Sequence, residues 1–164
     1  HIREAIRGMR KRTKRGTINL NTNASRSEAV EMLCRAGLDS IRVSMNSARK
    51  EYYNAYFRPR GYRFEDVIRS VRVAKKHKVW VSLNYFIFPG FTDTKAEMDA
   101  LKALLAEFPI DMIQMRNHNI DPDWYSEVLG RKAFGDEAVG ILRWMKEMKK
   151  VRPKLRYGYF NPSL

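Results

Sequence analysis

"VSLNYFIFPGFTD" (residues 81–93) starts as a strand and ends as a turn. Ser82 and Asn84 alternate with Val81 and Leu83, and Phe88-Pro89-Gly90-Phe91 then stops the chain before Thr92 and Asp93. Side chains along a strand alternate between faces, so this strand has one apolar and one polar face. A parallel strand covered on both faces reads instead as a nearly continuous apolar run. The fold depends on whether other strands share the pattern.

They do. In TINLN (17–21), Asn19 and Asn21 share a face that Asn23 continues; in SIRVSM (40–45), Arg42 and Ser44 share one, with Asn46 just beyond. In IDMIQMR (110–116), Gln114 and Arg116 do the same, with His118 further on. The opposite faces carry Ile18 and Leu20, Ile41 and Val43, Val81 and Leu83, and Ile113 and Met115. A short last strand is predicted in RYGYF (156–160).

Helical spacing fills the intervals. Ile2 to Thr13 is predicted helical and ends before Gly16. A second helix carries Ala29, Val30, Leu33 and Ala36, with Ser25 and Glu28 spaced as a capping box and Gly37 at its end. Helix 64–77 carries Val67, Ile68, Val71 and Ala74 on one side. Thr94 and Glu97 suggest another capping box before Met98, Leu101, Leu104 and Leu105, and a further helix is predicted over 136–149. The aromatic stretch Tyr52, Tyr53, Tyr56 and Phe57, with Arg58 and Arg60, reads as a packed amphipathic helix, with a substrate lid as the alternative.

Strands alternating with helices indicate a parallel sheet. Amphipathic helices need an apolar partner and cover the apolar face; the polar face then lines a hydrophilic interior. The expected object is an α/β partial (βα) TIM-like barrel of about four parallel strands, helices outside and a ligand site at the strands' C-terminal ends. With no linker or repeat, residues 1–164 read as one domain.

Composition narrows the chemistry. The chain is 44% hydrophobic and 30% charged, as in ordinary globular proteins. No apolar run approaches the roughly 20 residues that span a bilayer, and the basic start lacks the apolar centre of a secretory signal. One cysteine, Cys34, rules out an internal disulfide and any cysteine-only metal or iron–sulfur site, and points to a reducing, cytoplasmic compartment. Lys plus Arg outnumber Asp plus Glu by 32 to 18, a net charge of +14. The excess is widely spread and no nucleic-acid motif accompanies it, so it is read as soluble helix faces. Metalloprotease, P-loop, hydrolase and dinucleotide fingerprints are missing. Asp121 and Asp123, one proline apart, read as a helix cap or turn.

With the strands placed, the motifs resemble the C-terminal part of the partial barrel of radical S-adenosylmethionine (radical SAM) enzymes. "NLNTNAS" is similar to the end of that family's third strand, "AGLDSIRVSMNS" to the fourth, "VWVSLNYFIFPGFTDTKAEM" to the fifth with its Pro-Gly turn, and "IDMIQMRNHNIDPDWY" to the sixth. The resemblance implies that Thr22 and Asn23 sit near the amino-acid end of S-adenosylmethionine, and that Ser44 and Asn46 bind its carboxylate or ribose. It implies that Ser82 and Asn84 approach its polar groups, and that Gln114 and Arg116 border the adenine or the substrate. Ala24 stands where the family commonly has glycine, and Asn46 where it commonly has an acid.

The larger departure is the family's three-cysteine loop, Cys-x3-Cys-x2-Cys, which holds a [4Fe–4S] cluster and is not in this sequence. The resemblance therefore implies a fragment of an enzyme that cleaves S-adenosylmethionine reductively to a 5′-deoxyadenosyl radical for hydrogen abstraction. Alone, the chain is expected to be inactive and to bind neither cofactor fully. It names no catalytic or metal residue here and leaves the substrate unknown. The expected partners are the missing N-terminal barrel half or, through an exposed sheet edge, a second copy. Two alternatives are a cluster-free (βα) barrel enzyme and a basic module binding an anionic ligand or nucleic acid.

Overall fold

The structure, a computed structural model, describes residues 1–116, 120–134 and 137–158. Its order is α1 (Ile2–Arg12), β1 (Asn19–Thr22), α2 (Ser27–Ala36), β2 (Ser40–Met45), α3 (Lys50–Phe57), α4 (Phe64–Lys76), β3 (Trp80–Phe86), α5 (Lys95–Glu107), β4 (Met112–Arg116), α6 (Pro122–Leu129), a 3-10 turn (Arg131–Phe134), α7 (Ile141–Val151) and β5 (Arg156–Gly158). The five strands form one parallel sheet in the order β1-β2-β3-β4-β5, and the sheet is not closed. This is the expected partial barrel, with the short β5 added at one edge. His118 and residues 159–160 of the expected last strand lie outside the described residues.

Register and alternation divide the sheet as the sequence implied. Thr22, Val43, Leu83, Ile113 and Tyr157 form one row across it, with Ile41 and Val81 in the row below and Met45 and Tyr85 in the row above. Ile41, Val43, Val81, Leu83 and Ile113 are fully buried, packed with Val30 and Leu33 of α2, Val67 and Val71 of α4, Leu101 and Leu105 of α5, and Trp144 and Met148 of α7. Each such aliphatic side chain contributes about 1.5–3 kcal/mol of burial. The core therefore lies on one face, between sheet and helices.

Two aspartates clamp the strands' N-terminal ends in the same way. Asp39, just before β2, accepts the Ile18 amide at 2.6 Å and an ion pair from Arg10 of α1. Asp111, just before β4, accepts the Val81 amide at 2.7 Å and the Lys75 ammonium of α4 at 2.6 Å. Each carboxylate ties its strand to the preceding strand and to a basic residue of the helix before that strand. Arg10 also lies across Gly37, donating to its carbonyl at 3.0 Å. Gly37 ends α2 at φ 109°, and a Cβ there would meet Arg10 Cγ at 2.8 Å, so glycine is required twice over.

Several local expectations are corrected. Ser25 does not cap α2; the helix starts at Ser27 after Arg26. Thr94 precedes α5, but its hydroxyl donates to the Phe91 carbonyl at 2.8 Å and Glu97 turns inward, so no capping box forms. Glu97 leaves the helix end for tertiary partners, the Tyr85 hydroxyl and the Ala48 amide. The last helix starts at Ile141 instead of 136 because the backbone before it is committed to Asp93. The Val139 amide donates to the Asp93 carbonyl at 3.1 Å and the Gly140 amide to its carboxylate at 2.8 Å. Asp121 does cap α6, accepting from the Asp123 and Trp124 amides. The aromatic stretch forms α3, with Tyr52 and Tyr53 buried and Tyr56 and Phe57 half-buried, which favours the packed helix.

Candidate functional site

The face of the sheet turned away from the helices carries the polar alternation. One row runs Asn21, Arg42, Ser82 and Met112, and the next, toward the C-terminal ends, runs Ser44, Asn84 and Gln114. Phe86 and Arg116 form a third. Asn21, Arg42, Ser44, Asn84, Gln114, Met115 and Arg116 line a cavity of about 500 Å³, within the range of small-molecule sites.

Its chemistry is specific. Among the described residues the lining offers one hydroxyl, three carboxamides and two guanidinium groups, and no carboxylate. Neither Arg42 nor Arg116 forms an ion pair among the described residues. Arg42 Nε is buried without a hydrogen-bond partner there. A buried donor left unmatched costs about 1–3 kcal/mol, so the arrangement suits a ligand that supplies an acceptor. At the lower end Ser40 donates to Asn19 at 2.8 Å, and the Arg156 guanidinium lies 5.3 Å from the centre of the Trp80 ring.

Of the residues singled out from sequence, Ser44, Asn84, Gln114 and Arg116 come together in this cavity. Thr22, Asn23, Asn46 and Ser82 do not line it. Thr22 shares the row of Val43 and Leu83, on the helix side, and its hydroxyl accepts the Ala24 amide at 3.0 Å. The Asn23 side chain accepts the Ser25 amide at 3.2 Å. Together they hold the turn after β1, in which Ala24 takes the left-handed conformation at φ 54°, a backbone that explains why glycine suits this position. Ser82 is fully buried, donating to the Ile41 carbonyl. Asn46 is buried under α3 and α6, donating to the Tyr52 carbonyl at 3.1 Å and the Tyr125 hydroxyl at 3.2 Å. Asn21 and Arg42 were visible in the alternation but had no ligand role assigned; Met115, on the apolar parity, was not anticipated.

A buried polar cluster stands behind the cavity. Glu97 of α5 accepts the Tyr85 hydroxyl at 2.8 Å and the Ala48 amide at 3.1 Å, which anchors the loop that leaves β2 with Asn46. Burial pushes the Glu97 carboxyl above its ordinary range, against the pull of the Ser47 and Tyr85 hydroxyls, the Ala48 amide and the Arg49 charge. Burial likewise raises the Tyr85 and Tyr125 hydroxyls. The turn quoted at the outset closes the same region. Gly90, at φ 87°, donates to Asp93 at 2.7 Å, and Thr92 accepts from Phe88 at 2.9 Å.

A wider groove of about 590 Å³ runs between α5 and α7 on the outer face, where Lys102 pairs with Glu147 at 3.0 Å and Lys95 with Asp99 at 2.6 Å. No group of three metal-binding side chains occurs among the described residues. Cys34 sits half-buried on α2, and burial pushes its thiol up to about 11. One disfavoured thiolate on an outer helix does not fit a cluster that needs three. Among the described residues no helix is long and apolar enough to cross a membrane.

Solved structures agree with this geometry. A domain of pyruvate-formate lyase-activating enzyme from Bacteroides vulgatus superposes with a TM-score of 0.63 at 10% identity, covering 96% of this chain and 89% of that one. HydG, a maturase of the [FeFe]-hydrogenase, gives 0.61 at 18% identity over 95% of this chain and 36% of its own. A radical SAM methyltransferase from Sphaerobacter thermophilus gives 0.57 at 16% identity over 85% of this chain and 40% of its own. At these identities the likeness is one of fold, and the chain spans well under half the length of the last two. No curated protein sequence matches it. Residues 1–103 match the Radical SAM superfamily, well over half the chain, and the chain belongs to that superfamily.

Proposed function

We propose that this chain supplies the S-adenosylmethionine-binding strands of a radical SAM enzyme, with the cofactor in the polar cavity of the sheet. The observation that carries the reading is Arg42: a guanidinium on the cavity wall whose Nε is buried and unmatched among the described residues, beside Ser44, Asn84 and Gln114. S-adenosylmethionine has a carboxylate for the guanidinium and ribose and adenine edges for the hydroxyl and carboxamides. Of the expected site residues, Ser44 and Asn84 hold the cofactor and Gln114 meets its adenine or the substrate. Thr22, Asn23 and Asn46 act at one remove, fixing the loops around it. The cluster that would deliver an electron to the sulfonium is not held by this chain, so the strands' own work is to bind and orient.

Calorimetric titration of S-adenosylmethionine into the protein expressed from its complete gene tests this. R42A is expected to weaken binding about tenfold to a hundredfold, the loss of one charge-assisted contact, and N84A less. Binding that is missing, or indifferent to both substitutions, would overturn the reading and favour a cluster-free barrel acting on another anion.

A further inference from the structure

At the C-terminal rim of the cavity the fold gathers residues that are distant in sequence. Arg116, the last residue of β4, is exposed and lines the cavity, with its guanidinium 5.5 Å from the centre of the Phe86 ring on β3. Tyr56 of α3 meets Phe86 edge-on at 5.2 Å, and Trp124 of α6 lies 6.3 Å from Tyr56. Burial raises the Tyr56 hydroxyl while the Arg116 charge draws it back down. Phe86 is buried behind them, but Trp124 is 43% exposed. The fold does not need that ring outside: α6 already anchors itself with Tyr125 and Leu129, both buried.

Charge and shape both narrow what this rim could take. Arg116 has no ion-pair partner among the described residues; Asp121, ahead of α6, is committed to the cap of that helix, and Asp123 and Glu127 on α6 form no ion pair with it. If the cofactor's carboxylate engages Arg42, its sulfonium and ammonium add positive charge to a cavity without a single carboxylate, and the mouth attracts anions. A guanidinium fork matches a carboxylate or phosphate in two parallel contacts, and flat aromatic faces beside it favour a flat ligand.

We propose that Arg116, with the aromatic wall of Tyr56, Phe86 and Trp124, is the substrate subsite at the mouth of the cavity, and that it takes the carboxylate or phosphate group of a planar, ring-bearing substrate. The subsite rests on the cofactor reading above for its place in the reaction, but not for its ability to bind.

The test is ligand-detected NMR on the protein expressed from its complete gene, with benzoate and phenyl phosphate as probes and benzyl alcohol as the uncharged control. Both anions should bind, benzyl alcohol at least tenfold more weakly. R116Q should weaken the anions about tenfold or more, and R116K less, because it keeps the charge and loses the fork. W124A should weaken all three probes alike. Arg116 and Trp124 are exposed, so these variants are expected to fold, and circular dichroism would verify it. The calorimetric S-adenosylmethionine titration of the unsubstituted protein and of R42A is run alongside. Equal binding of benzyl alcohol and benzoate, or anion binding indifferent to R116Q, would overturn the subsite while Arg42-dependent cofactor binding stood. Arg116-dependent anion binding without any cofactor binding would uphold the subsite and overturn the reading beneath it. A preference for one anion would tell carboxylate from phosphate substrates.

Discussion

Replacing Asp111 with alanine should destabilise the protein by about 3 kcal/mol. The Asp111 carboxylate accepts the Val81 amide at 2.7 Å and the Lys75 ammonium at 2.6 Å, and the two charged side chains are only 19% and 15% exposed. Losing a charge-assisted acceptor from a buried amide costs about 1.5–3 kcal/mol. Removing one partner of a fully buried ion pair costs about 3–5 kcal/mol. Lys75 keeps a contact with the Val79 carbonyl at 3.2 Å and some access to water, so its stranded charge adds only about 1 kcal/mol. In a chain of this size about 3 kcal/mol lowers the melting temperature by about 6–12 °C. D111N still offers Val81 an acceptor and should recover about half the loss. Urea denaturation followed by circular dichroism reads both variants. An unfolding free energy for D111A within about 0.5 kcal/mol of the unsubstituted protein would refute the clamp. The clamp bears on the site as well, because Asp111 fixes the offset that sets Asn84 beside Gln114.

Two further outcomes follow from the buried titratable groups. The Glu97 carboxyl is raised above 4.5, so between that value and its folded value the folded protein holds a proton the unfolded chain has released. Stability from this group is therefore full below about pH 4.5 and is lost as pH rises through the raised value. The difference in melting temperature between the protein and E97Q should change across pH 4–7 in that direction, and a constant difference would contradict the buried carboxyl. The Cys34 thiol, at about 11 against 9.0 in the open, should react with a disulfide reagent at pH 8 on the order of a hundredfold more slowly when folded than in urea, and equal rates would contradict its burial.

The sequence carried the architecture because period-two alternation is local: four strands each declared a polar face, and the sheet brought Ser44, Asn84 and Gln114 side by side on it. What alternation could not show is which polar positions stay open. Asn46 keeps the parity of Arg42 and Ser44, yet it donates to Tyr125, 79 residues away on a helix of which the sequence showed only the cap signal at Asp121. Ser82 shares the polar parity as well and is closed off. Nothing local marks Asp39 and Asp111 as clamps, since their strand amides and helix cations come from other units. Glu97 looked like a helix-capping acid for the same reason. Local pattern gives the faces, and long-range packing decides the contacts.

The most direct measurement of the central claim is cofactor cleavage. The protein expressed from its complete gene would be reconstituted anaerobically with iron and sulfide, reduced with dithionite, supplied with S-adenosylmethionine, and analysed for 5′-deoxyadenosine by chromatography. 5′-Deoxyadenosine is expected well above the protein-free control, and at least tenfold reduced in R42A. A protein that carries the cluster by its absorption spectrum, yet forms no 5′-deoxyadenosine, would contradict it.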